Sequence, residues 1–128
     1  MLEVGMKGQA SVLVTEENSA KTMGSGTLDV FATPAMIALM ERTCWTSVAD
    51  HLELGWGTVG ISLNVAHSAP TPLSMTVTCE SELVEIDGRK LTFQVVARDE
   101  AGEIGRGTHE RFLIQEEKFQ SKADRKRN

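Results

Sequence analysis

Three polar residues stand where an apolar pattern predicts core: Thr33, Glu41 and His67. A carboxylate facing a pocket can serve as a base or nucleophile, and an imidazole facing a helix that carries Thr and Glu makes a plausible catalytic constellation. Whether the three can meet depends on the elements that carry them.

The stretch "FATPAMIALMERTC", Phe31 to Cys44, predicts the start of an amphipathic helix running to about Leu52. Thr33 offers an N-cap oxygen and Pro34 suits the first turn. On a wheel advancing about 100° per residue, Ile37, Met40, Cys44 and Val48 form the apolar stripe. Glu41 then lies about 40° to one side of Ile37 and Thr33 about 40° to the other, whereas Asp50 is about 140° away. Two readings of Glu41 stay open at this level. It pairs with Arg42 or Lys21, or reaches water from the stripe margin, or it is a partly buried carboxylate facing a pocket.

The following strand, "TVGISLNVAHS", alternates. Val59, Ile61, Leu63, Val65 and His67 share the apolar face expected to meet the helix. His67 closes that strand just before "SAPTP", whose prolines end the ladder. It is either a packed core histidine or the partner of the helix residues. "GTHERF", Gly107 to Phe112, is polar for a strand and lines either a site or a solvated face, with Arg111 as its substrate-binding candidate. "GWGTVG", Gly55 to Gly60, copies a dinucleotide fingerprint in letters, but it follows a helix and opens a strand, which is the wrong context. Gly60 keeps one meaning from it: a strand glycine permits close approach to the backbone. Cys44 sits in the apolar stripe and reads as a packed thiol, not a nucleophile. His51, His67 and His109 share no metal-ligand spacing.

The elements follow in simple order: a first strand in "GQASVLVTE", a Ser/Gly/Thr-rich loop over 16–30, the helix, then four strands. Asp87-Gly88 and "DEAGE" mark tight turns between the last three. Short turns imply an antiparallel sheet, against which one long helix must bury its stripe. That is an α+β layer. The open sheet edge favours pairing of two copies, a homodimer.

At 128 residues and net charge −5, the chain fits one domain over 1–119 with a charged tail over 120–128, and offers no basic face for nucleic acid. The basic "KADRKRN" end reads as a solvated tail, with contact to a phosphorylated ligand as the alternative. No apolar run approaches the roughly 20 residues of a membrane span, and the N-terminus has no signal-peptide core. Two cysteines without C-x-x-C spacing suit reduced thiols in a cytoplasmic protein.

The stretches "VFATPAMIALMERTC", "VAHSAPTPLSMTVT", "EIGRGTHERFLI" and "EKF" together resemble the hot-dog thioesterases, in the group that includes fluoroacetyl-CoA thioesterase. The resemblance covers Val30 to Phe119. It implies a hot-dog fold, a sheet wrapped around one long helix, with two copies building active sites at their interface. It also implies hydrolysis of an acyl-CoA to a carboxylate and CoA, without a metal or redox cofactor. In that group the matching Thr, Glu and His form the catalytic set, here Thr33, Glu41 and His67. The glycine seven residues before the histidine, Gly60, lies at the substrate. The loop "KTMGSGTLD" departs from the fluoroacetyl-specific pattern in being shorter and lacking aromatic lid residues, so a general short acyl-CoA is the expected substrate. Two other functions fit the same fold: a non-catalytic CoA-ester binding module, and a dehydratase or hydratase.

Overall fold

In the computed structural model, which describes residues 1–127, the chain forms one antiparallel sheet in the order β1-β3-β4-β5-β2. The strands are β1 (Lys7–Leu13), β2 (Trp56–His67), β3 (Thr76–Asp87), β4 (Lys90–Asp99) and β5 (Gly102–Gln115). A one-turn helix α1 (Ala20–Met23) and the long helix α2 (Thr33–Ala49) lie between β1 and β2, and α3 (Glu116–Asp124) follows β5. Asn128, the last residue of the charged tail, lies outside the described residues. The α+β expectation holds.

The tight turns sit where their residues demand them. Asp87 pairs Lys90 around Gly88, whose φ of 60° suits glycine. Asp99 accepts backbone N–H bonds from Ala101 and Gly102 at the next turn. The expected loop over 16–30 is partly helical instead. Ser19 caps α1 by accepting from Thr22 N, and Gly24 ends it in the left-handed region.

Helix α2 carries the chain from β1 at one sheet edge to β2 at the other, packing across the concave face between them. Its buried residues are Met36, Leu39, Met40, Thr43, Cys44 and Val48. They meet Val77, Leu83, Leu91, Phe93 and Val95 of the sheet. Each fully buried large apolar side chain stabilises the fold by roughly 1.5–3 kcal/mol. The stripe is therefore centred on Met36, Met40 and Thr43, not on Ile37, which is only half-buried. That rotation moves Glu41 from the inner face to its margin.

Two further local expectations are corrected. Thr33 is not the N-cap: Ala32 is, with no side-chain cap bond, so Thr33 is the first helical residue and its hydroxyl is free for another partner. Strand β2 does not keep one alternation throughout. A bulge at Ile61 shifts the register, because Gly60 pairs Arg111 while Ser62 pairs Glu110. Thr58 and Gly60 face the helix before the bulge, and Leu63, Val65 and His67 after it. Val59 and Ile61 do not.

Candidate active site

At the N-terminal end of α2, Thr33 Oγ1 lies 2.7 Å from His67 Nδ1. The helix start and the β2 end are held together there, as Phe31 and Ala32 are buried and Ser68 N donates to Ile104 O. The pair lines a hollow of about 250 Å³ with Phe31, Val30 and Ser68. His67 Nε2 is buried with no hydrogen-bond partner, so one ring nitrogen points where a substrate or water would complete it. Burial lowers the pKa of His67, favouring the neutral imidazole.

Two turns further on, Glu41 belongs to a different cluster. Its Oε2 lies 3.5 Å from Arg111 Nη1, with the carboxylate 40% exposed and the guanidinium 7% exposed. Arg111 also donates through Nε to Thr58 Oγ1 at 2.8 Å and through Nη2 to Thr58 O at 3.0 Å. Its Nη1 is 3.1 Å from His109 Nε2. Arginine can only donate, so that histidine nitrogen accepts, and Nδ1–H donates to Ser62 O at 2.9 Å. His109 is fully buried, and burial, reinforced by the Arg111 cation, keeps its pKa below the ordinary value. The neutral imidazole is thus the one the bonds require.

Gly60 explains why this cluster closes so tightly. A Cβ there would lie 2.6 Å from Glu41 Oε2 and 3.2 Å from His109 Cε1. The glycine expected at the substrate makes room for the Glu41 carboxylate against the β2 backbone. Arg111, expected at the substrate, is a buried anchor for that same carboxylate. His109 and Thr58 complete the set and were not singled out by motif. The signal was present in strand parity, since "HER" puts His109 and Arg111 on one face of β5.

A single chain keeps the two clusters apart. Eight helical residues from Thr33 to Glu41 span about 12 Å, and seven strand residues from Gly60 to His67 span roughly 20 Å. Thr33 and His67 meet; Glu41 meets Gly60 and Arg111; the three expected catalytic residues do not converge within one copy. Cys44 is excluded as nucleophile, because burial pushes its thiol up to about 12. Among the described residues no cluster of three His, Cys, Asp or Glu is arranged for a metal, and no helix is long and apolar enough to cross a membrane.

This sheet, helix and polar set match known proteins closely. The profile of the fluoroacetyl-CoA-specific thioesterase family fits residues 14–117. A curated fluoroacetyl-CoA thioesterase from Streptantibioticus cattleyicolor is 46% identical over 98 residues, covering 77% of this chain and 70% of that protein. The chain belongs to this family. It is a hot-dog-fold acyl-CoA thioesterase. The solved fluoroacetyl-CoA thioesterase FlK superposes with a TM-score of 0.93 at 36% identity, covering 98% of both chains. A thioesterase superfamily member from Thermus thermophilus shares the fold, with a TM-score of 0.89 at 24% identity over 98% of this chain and 93% of that one. The thioesterase's sheet and single long helix are thus those the sequence implied.

Proposed function

We propose that the protein hydrolyses short acyl-CoA thioesters at sites shared between two copies of the chain, with Glu41 as the reacting carboxylate and Thr33 and His67 as its assistants. One observation carries this reading: in one copy the Thr33–His67 pair and the Glu41–Arg111 cluster stand about 12 Å apart along α2. Strand β2 is a twelve-residue edge strand with Ile61 49% and Leu63 36% exposed. Antiparallel pairing of β2 with the same strand of a second copy brings the His67 end of one strand toward the Gly60 end of the other. The Thr33–His67 pair of one copy then faces the partner's Glu41.

In that arrangement the thioester carbonyl sits between the halves. Glu41, aimed by Arg111, attacks the carbonyl or removes a proton from water that attacks it. The carbonyl π electrons move to oxygen, where the Thr33 hydroxyl and the α2 N-terminus favour negative charge. Collapse expels the CoA thiolate. Where Glu41 is the base, the proton it took from water passes to the sulfur through the His67 ring. Where Glu41 is the nucleophile, water then cleaves the Glu41–acyl anhydride, which releases the carboxylate, restores Glu41 and supplies the proton to the sulfur. The step needs only side chains and water, and no cofactor. The curated relative is named for fluoroacetyl-CoA; the aromatic-free segment "KTMGSGTLD" supports a wider short-acyl range here. The buried free thiols Cys44 and Cys79 suit a reducing cytoplasm.

Thiol release over an acyl-CoA panel tests the reaction. Absence of turnover with tight CoA binding would favour the binding module, and an absorbance change with enoyl-CoA would favour the hydratase. Subunit mixing tests the shared site. Glu41→Ala and His67→Ala proteins, each inactive, are unfolded together and refolded; about a quarter of the native activity should return through mixed dimers with one intact site. Equal inactivity after mixing would place the whole site in one chain. A single turnover in heavy-oxygen water separates the two roles of Glu41, since label enters its carboxylate only if it is the nucleophile.

A further inference from the structure

The Glu41 end of the site opens into a groove that leads away from the reaction. Trp45 and Ala49 follow Glu41 at i+4 and i+8 along α2 and so share its face, and Leu52 lies just past the helix end. With Trp56, Thr58 and Arg111 they enclose a cavity of about 320 Å³. The eight helical steps from Glu41 to Ala49 give this groove a length of about 12 Å. At its far end Arg89 lies over the Trp56 ring, 5.0 Å from the centroid. Arg89 is also a wall of a second hollow of about 190 Å³, shared with Lys118, Lys122 and Phe119. The two hollows adjoin where Trp56 pairs Gln115 and α3 begins.

Charge is distributed accordingly. The chain carries net −5, yet five of its thirteen Lys and Arg residues fall among the last eleven positions. An acyl-CoA is charged in a matching way: a neutral thioester and an amide-bearing arm at one end, several phosphates and a purine at the other. We infer that the hollow formed by Arg89, Lys118 and Lys122 binds the phosphates at the nucleotide end of the substrate, while the pantetheine arm lies in the groove along α2. Phe119, 44% exposed, offers a flat face to the purine. Glu116, packed over Gly57 at the junction, meets the amide section, where an N–H donor suits it. Arg89, pinned on Trp56, marks the boundary between neutral arm and phosphates.

This inference rests on the acyl-CoA reading, so its test separates the two. Acetyl-CoA is compared with acetyl-pantetheine, which has the arm and thioester but no nucleotide. In the K118E/K122E variant, on the exposed helix α3, KM for acetyl-CoA should rise about tenfold relative to KM for acetyl-pantetheine. Added salt should narrow the gap between wild type and variant. Arg89→Ala should shift the same ratio in the same direction. Calorimetry with CoA against pantetheine reads the site without any turnover: wild type should prefer CoA, and the variant should lose the preference. An unchanged ratio with an unchanged CoA preference would overturn the assignment. Wild type that turns over neither thioester but prefers CoA would instead keep this site and remove the hydrolytic reading.

Discussion

The two ends of helix α2 solve different problems with similar residues. At the Glu41 end, Arg111 is buried, carries four hydrogen-bonded contacts, and holds a carboxylate against a glycine backbone. At the Thr33 end, one hydroxyl–imidazole contact leaves His67 Nε2 without a partner. The first end is finished within the chain; the second has an unused bond. A charged group near a core must be fixed by many donors, or its desolvation is uncompensated. A proton-moving imidazole must keep one nitrogen free. The difference separates a pre-built anchor from a waiting receiver.

The contrast can be broken most strongly at Glu41. Glu41→Gln keeps the shape and removes the charge, and kcat in a thiol-release assay should fall roughly a thousandfold. Near-native activity would move the chemistry off this helix. On the proposed mechanism His67→Ala should lower kcat roughly a hundredfold, because the assisting imidazole is lost while the carboxylate stays. Gly60→Ala should lower kcat about tenfold with little change in melting temperature, because the new Cβ displaces the Glu41 carboxylate without opening the core. An unaffected rate would mean that the carboxylate position is slack.

The smallest effect concerns stability at the anchored end. His109→Leu removes the acceptor for Arg111 and should cost about 1–3 kcal/mol in denaturant unfolding. It should also flatten the pH dependence. The folded protein holds His109 below its ordinary value of 6.5, so below that pH the unfolded chain takes up a proton that the folded chain refuses. Wild-type stability therefore falls as pH drops below 6.5, and the variant should lose part of that slope. An equal slope in both proteins would assign the titration to other groups, His67 first.

Most elements were legible because their signals are local. Asp87-Gly88 could only be a tight turn, and the apolar alternation of "KLTFQVVARD" gave β4 its observed limits, Lys90–Asp99. The one-turn helix α1 was not legible, since four residues carry too little periodicity against a Gly- and Ser-rich background. In the site, residue types at Thr33, Glu41 and His67 pointed to a catalytic constellation before any contact was visible, and the family resemblance supplied hydrolysis. The wheel centred on Ile37 misjudged Glu41 because Met36 and Thr43, which look unremarkable in a list, are what the curved sheet covers.

By itself, the sequence determined the order of elements, the single long helix and the three polar residues that interrupt apolar patterns, because hydrogen-bond geometry and hydrophobic periodicity act over a few residues. Only the tertiary structure decided which of those residues touch. The β2 bulge at Ile61, which arises from pairing with β5, sets Gly60 and His67 both toward the helix despite their odd spacing. The buried Arg111–His109 pair fixes Glu41 to one end of α2, and the short hydroxyl–imidazole contact fixes Thr33 to the other. Which polar groups meet depends on residues far apart in sequence being desolvated together. No local pattern records that.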